Sequence, residues 1–370
     1  MKDIIKNMKP YVVASHEIWA MDSADRKTCL KLDWNEATWN PSPNVINRIK
    51  ELASDASFFN LYPNTRNDRL RGKIADYVGV DEKYIQFFPS TDVIHEYIAR
   101  VWIENGEKIL ILWPTYDNFR ATVESEGANI IFSEMKGLKF DFEILKNDIE
   151  INNPKLVYIC NPNNPTGEQI EIKVIETLAN RFIDTIFVVD EAYEEFSGET
   201  ICDKAINVHN IIATRTFSKA FAMANFRIGY MVSSAENVEL ISRIRNPKNI
   251  STFAQEAAIA ALDDVEYMIN QVNDIIQARE YFIREVKKLG IVKCVYDSKT
   301  NFVLINFLDS RCKSSLYEFL KTKSIYVREL HQIDSLESCL RFTVGKKEQM
   351  FRVVEVIKQF ERDNYESGSV

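Results

Sequence analysis

The sequence contains no run of about 20 apolar residues, so it offers no helix suited to cross a bilayer. Its opening residues, from Met1 to Glu17, lack the apolar core and small-residue cleavage site of a signal peptide. The six cysteines (Cys29, Cys160, Cys202, Cys294, Cys312, Cys339) include no Cys-x-x-Cys pair, and the four histidines are equally dispersed. No metal-ligand spacing results, and free thiols in a reducing compartment are expected. These absences together predict a cytoplasmic protein without a metal. A basic surplus is missing too: 46 Lys and Arg stand against 54 Asp and Glu, a formal net charge of −8. An acidic surface is a poor match for nucleic acid or an acidic membrane. Small anions remain possible ligands, because a local cluster of arginines can oppose the global sign. There is no internal repeat and no low-complexity linker.

What is present is an alternation of short apolar strands with amphipathic helices. The stretch "NVINRIKELA" places Val45, Ile46, Ile49 and Leu52 on one helical face, and "NDRLRGKIADYV" does the same with Leu70, Ile74 and Tyr77. Strands follow at "YIQFF", "KILILW", "NIIF", "KLVYIC", "TIFVVD", "NIIATR" and "GYMVS", separated by helical segments. Their cores are β-rich and mostly unalternated, as in parallel strands covered on both faces. A doubly wound α/β sheet is the expected architecture. After Ala235 the texture changes. One long helical stretch, Thr252 to Lys288, reads as a spine, and the remainder as a smaller α+β unit. At 370 residues the chain is long for one core. The reading is an arm and part of a small domain over 1–40, a large domain over 41–245, and a connecting helix with the small domain over 246–370.

Ligands of open parallel sheets bind outside the carboxyl ends of the strands, and the polar residues gather there. "KLVYIC" runs into Asn161 to Gly167, "TIFVV" into Asp190 to Tyr193, and "NIIATRT" into Phe217 to Lys219. "YIQFF" ends at Pro89-Ser90-Thr91-Asp92, which opens a helix, and "KILIL" ends at Trp113 to Tyr116. Each group alone has an ordinary reading. Asn-Pro-Thr-Gly forms turns, Asp190 suits a helix cap, Ser90 or Thr91 is a common N-cap, and Tyr116 suits a core. Lys219 is the exception, because Phe217, Ala220 and Phe221 are unusual neighbours for a solvated amine.

In order and spacing these motifs resemble the pyridoxal-phosphate aminotransferases of fold type I. The series is Tyr62-Pro63, the small polar helix start, Pro114-Thr115-Tyr116, Asn164-Pro165-Thr166-Gly167, Asp190-x-x-Tyr193, Ser218-Lys219, Arg227-x-Gly229-Tyr230 and Leu340-Arg341. The histidinol-phosphate aminotransferase branch is the most similar, and the likeness runs from Pro10-Tyr11 to Gly345. The resemblance implies a large domain with a mostly parallel sheet, a smaller α+β domain, and pyridoxal 5′-phosphate as cofactor. It implies that Lys219 forms a Schiff base with the cofactor, that Asp190 meets the ring nitrogen, and that Tyr193 and Asn164 hold the phenolic oxygen while Tyr116 stacks on the ring. The phosphate falls to Ser90, Thr91, Ser218 and Arg227. Tyr62 would reach that phosphate from a neighbouring subunit, which implies a homodimer with shared sites. For the substrate, the resemblance assigns Arg341 to the α-carboxylate, Arg328 and Tyr11 to a distal phosphate, and Asn164 to the same pocket.

Three stretches depart from that pattern. "FPSTD" stands where a glycine is usual, and Pro89 offers no N–H, so the amides and hydroxyls of Ser90 and Thr91 must serve instead. Ser15-His16-Glu17 replaces an arm that often carries arginine, and "NEATWNPSP" has Trp39-Asn40 at a small turn. The leading expectation is a transaminase moving an amino group between glutamate and a small phosphorylated, histidinol-phosphate-like ketone. Lys219 would act as base and acid. A decarboxylase of phosphorylated serine or threonine is the alternative, and a non-catalytic regulatory protein of the same fold a remote one.

Overall fold

The computed structural model describes residues 3–11, 17–330 and 333–366, so His16 lies outside the described residues. The first strand, β1 (Leu30–Leu32), belongs with strands found late in the chain. The next seven are β2 (Ile85–Phe88), β3 (Lys108–Trp113), β4 (Asn129–Glu134), β5 (Leu156–Cys160), β6 (Ile186–Asp190), β7 (Ile211–Thr216) and β8 (Gly229–Ser233). They form one sheet in the order β2-β8-β7-β6-β5-β3-β4. β7, β6, β5, β3 and β4 are parallel to one another, whereas β8 runs antiparallel to both β2 and β7. The sheet is therefore mostly parallel, as expected, and β8 is the departure. Residues 217–228 form the turn that carries Lys219 instead of a crossover helix, so the chain re-enters the sheet in the opposite direction. Every residue of β5, β7 and β8 is buried, which matches helices on both faces.

The last four strands, β9 (Val292–Val295), β10 (Phe302–Phe307), β11 (Ile325–Glu329) and β12 (Cys339–Thr343), join β1 in a second sheet of order β1-β11-β12-β10-β9. Leu30 to Leu32 pair in parallel with Ile325 to Val327. This pairing carries the following residues, Asp33 to Glu36, to the mouth of the first sheet. One apolar cluster runs through both sheets. Within it, Phe282 on the helix Val265–Val286 meets Phe342 of β12 at 5.5 Å between rings.

Two helical expectations need correction. The long spine is two helices, Thr252–Leu262 and Val265–Val286, broken at Asp263-Asp264. Both aspartates turn to partners elsewhere, Asp263 to Lys73 and Arg69 and Asp264 to Ser42. These partners come from distant segments, so tertiary contacts and not local propensity mark the break. In Pro43–Ser54, started by the Ser42 cap, Val45 and Leu52 are buried, but Ile46 is 40% exposed. Among the described residues, no helix is long and apolar enough to cross a membrane.

Candidate active site

β7 ends at Thr216, and the chain turns at once, so Lys219 projects over the carboxyl edge of the sheet. A cavity of about 780 Å³ lies there, walled by the ends of β5, β6 and β7 on one side and by Asp33 to Glu36, β11 and β12 on the other. The Lys219 amine donates to the Trp34 carbonyl at 3.1 Å. Burial, and then the Arg341 charge, lower it to about 8 from the ordinary 10.5. It is therefore a substantially neutral amine near pH 8, able to attack a carbonyl.

Asp190, the last residue of β6, is buried and forms no ion pair among the described residues. Its Oδ2 accepts the Tyr158 hydroxyl at 2.9 Å, and its Oδ1 accepts the Ala192 amide at 3.2 Å. Burial pushes this carboxyl above its usual range, which the nearby His95 ring and then the hydrogen bonds oppose. A carboxylate in such surroundings lacks only a countercharge.

The helix Thr91–Trp102 begins at the same edge. Its first-turn amides have no intrahelical acceptor and face the cavity through Thr91 and Asp92. Ser90 behaves differently from expectation. Its amide is spent on the Phe88 carbonyl at 2.9 Å, and the residue does not line the cavity. Its φ of 95° and ψ of 162° belong to a backbone region that is essentially glycine's. The anion cradle therefore rests on Thr91 and Asp92, with the Ser218 hydroxyl and Arg227 beside them. Gly229 lies directly beneath: a Cβ there would stand 2.7 Å from the Arg215 carbonyl and 3.1 Å from the Thr91 nitrogen. Arg227 reaches Asp92 at 3.3 Å with a half-exposed side chain.

Opposite, β11 and β12 bring two arginines together, with Arg328 the direct cross-strand neighbour of Arg341. Like charges placed so are unfavourable unless an anion joins them. Arg341 is buried, donating to Asn164 Oδ1 and to the Asp33 carbonyl, each at 2.6 Å. Its Nε has no partner, and burial lowers the group to about 10. The Arg328 side chain makes no hydrogen bond or ion pair among the described residues, and the residue lines the same cavity. Tyr11 joins them, its ring 6.0 Å from that of Tyr116 and at 70° to it. Tyr193 lies at the floor, its hydroxyl accepting from Asn35 Nδ2 at 3.0 Å.

The family model of aminotransferase class I and II matches residues 27–357. This chain belongs to that family. It is 39% identical over 360 residues to a dihydroxyacetone phosphate transaminase of Campylobacter jejuni, spanning 96% of each protein. It is 33% identical to a histidinol-phosphate aminotransferase of Thermoanaerobacter pseudethanolicus, over 89% of this chain and 92% of the relative. The fold agrees, at a TM-score of 0.85 and 24% identity, with the crystal structure of a histidinol-phosphate aminotransferase from Sinorhizobium meliloti in complex with pyridoxal-5′-phosphate. That match covers 97% of this chain and 98% of the other. The fold is that of the fold-type I transferases, and the enzyme is a pyridoxal-phosphate-dependent aminotransferase.

The residues of this aminotransferase suit that cofactor. A buried amine of lowered pKa, an unpaired buried carboxylate and a set of free helix amides beside a hydroxyl and a guanidinium supply what an aldehyde, a ring nitrogen and a phosphate need. All predicted site residues line the cavity except Ser90 and Tyr62. Tyr62 sits outside, 79% exposed, with the Lys248 amine 4.5 Å from its ring centre. Several lining residues escaped sequence reasoning, and some of them have identifiable roles. Asn35 and Trp34 are delivered by β1, Thr216 binds the Ser218 hydroxyl at 2.9 Å, and Asp92 accepts from Tyr116, Asn118 and Arg227. The available signal was the stretch "NEATWN" for Asn35 and the helix start itself for Asp92.

Proposed function

We propose that this aminotransferase moves an amino group between glutamate and a small phosphorylated ketone, with dihydroxyacetone phosphate the first candidate. The observation that carries this reading is the opposed pair Arg328 and Arg341. One guanidinium is already oriented by Asn164 and the Asp33 carbonyl, while the other is uncommitted. That asymmetry suits a carboxylate at Arg341, where a planar fork grips it, and a phosphate at Arg328 beside Tyr11. The relative named for dihydroxyacetone phosphate supports a three-carbon substrate.

In this reading Asp190 pairs with the cofactor's ring nitrogen, Tyr193 and Asn164 hold its phenolic oxygen, and Tyr116 covers its face. Thr91, Asp92, Ser218 and Arg227 hold the phosphate. Bound pyridoxal phosphate supplies the electron-withdrawing ring that stabilises charge left at the substrate's Cα. Lys219 Nζ would anchor the cofactor and then carry the proton between the substrate's Cα and the cofactor's C4′ carbon, a task suited to an amine poised near pH 8. We further propose a cytoplasmic homodimer in which Tyr62, flanked by the exposed Phe59 and Leu61, completes the partner's phosphate site. Residues 41–245 would form the cofactor domain and 246–370 the connecting helices and small domain.

The test is a steady-state assay with glutamate as donor. Dihydroxyacetone phosphate should exceed dihydroxyacetone in kcat/KM by about 10- to 100-fold, the worth of one charge-assisted contact. Carbon dioxide released from phosphoserine or phosphothreonine without any keto acid would overturn the reading in favour of a decarboxylase.

A further inference from the structure

His95 has no part in the site as described, yet it lies directly behind it. It projects from the helix Thr91–Trp102, is fully buried, and is walled by the rings of Phe119 and Tyr158, at 5.2 and 5.6 Å and nearly perpendicular to both. Its Nε2 is 3.3 Å from Thr214 Oγ1, and that hydroxyl is 3.4 Å from Asp190 Oδ1. Its Nδ1 has no partner.

The hydroxyl has one proton, and beside a carboxylate that proton belongs on the Asp190 side. The oxygen then offers His95 only a lone pair, so Nε2 must carry a hydrogen. This assignment leaves Nδ1 as a bare lone pair, which costs less unpartnered than a buried N–H. A cationic ring would strand one donor in an apolar shell. Burial also lowers the ring's pKa, although Asp190 and Asp92 pull the other way. A directed chain results: His95 Nε2–H to Thr214, and Thr214 O–H to Asp190. With Tyr158 and the Ala192 amide, it gives the carboxylate three donors and fixes its plane.

We propose that His95 is a positioning residue that acts through Thr214 to keep Asp190 ionised and aimed at the cofactor's ring nitrogen. The inference rests on Asp190 meeting that nitrogen, and it is independent of which ketone is the substrate.

The first test is the tautomer of His95 in wild-type apoprotein, read by long-range proton–nitrogen correlation on nitrogen-15 histidine and assigned by the signal missing from His95→Gln. Protonation at Nε2 alone is expected; protonation at Nδ1, or at both nitrogens, would overturn the proposal. The second test is cofactor dissociation from His95→Leu, Thr214→Val and the double variant. Each single variant should loosen the cofactor about three- to tenfold, the loss of one net hydrogen bond. The double variant should add nothing further. His95→Gln, whose amide reaches where Nε2 does, should stay within about twofold of wild type, the ordinary scatter of such cycles. Additive losses, or His95→Gln as weak as His95→Leu, would mean that the ring serves packing alone.

Discussion

Lys219 illustrates how burial becomes chemistry at one residue. Its amine titrates near 8 in the folded chain against 10.5 ordinarily. The unfolded chain therefore binds more protons across that window, and the stability owed to this group rises as pH climbs from about 8 to about 10.5. Urea denaturation of the apoprotein should show the rise, and Lys219→Met should lack that part of it; identical pH profiles would contradict the value. Ser90 offers a second residue-scale prediction. Ser90→Gly relieves a backbone that only glycine adopts freely and should stabilise the apoprotein by about 1 kcal/mol by urea titration. For Arg328→Ala, KM for the phosphorylated ketone should rise about tenfold or more while that for glutamate holds, the separation expected of a lost charge-assisted contact. At this scale Lys219 and Asp190 were legible because they stand where strands end, whereas Arg341, in the middle of β12, was marked only by the resemblance. Ser90 was misread, since nothing in "FPSTD" reveals that its amide is already spent on Phe88. Asn35 and His95 were hidden because their partners lie 158 and 119 residues away.

Between elements, close approach does the work. β2 and β8 pair so that Phe88 lies opposite Gly229, and this brings the helix start down onto the glycine. Gly229→Ala should force that contact apart, at a cost of about 1–3 kcal/mol in a packed site. Faster loss of cofactor on dialysis should accompany the drop, whereas unchanged stability and retention would refute the packing argument. The hydrophobic period located the helices Pro43–Ser54 and Asp68–Val78 within a few residues, because their apolar faces had to find this core. It missed the break at Asp263-Asp264, which depends on Lys73, Arg69 and Ser42. It also missed the direction of β8. An unalternated apolar strand looks the same whether its neighbours are parallel or not.

For the molecule as a whole, the two sheets form a two-sided site: the first supplies the lysine, the carboxylate and the anion cradle, and the second supplies the arginine pair. Tyr62 stands outside that enclosure, so the proposed dimer predicts a dilution effect. Cofactor retention should fall as sedimentation shows dimers giving way to monomers, and Tyr62→Phe should weaken retention at every concentration; retention independent of assembly would exclude a shared site. The central claim concerns the ketone, and stopped-flow absorbance of the bound cofactor tests it most directly. Glutamate alone should convert the cofactor to its amine form and release 2-oxoglutarate. Dihydroxyacetone phosphate, added after glutamate is removed, should then restore the aldehyde form in a single turnover. An enzyme that glutamate converts but that no small phosphorylated ketone restores would contradict the account.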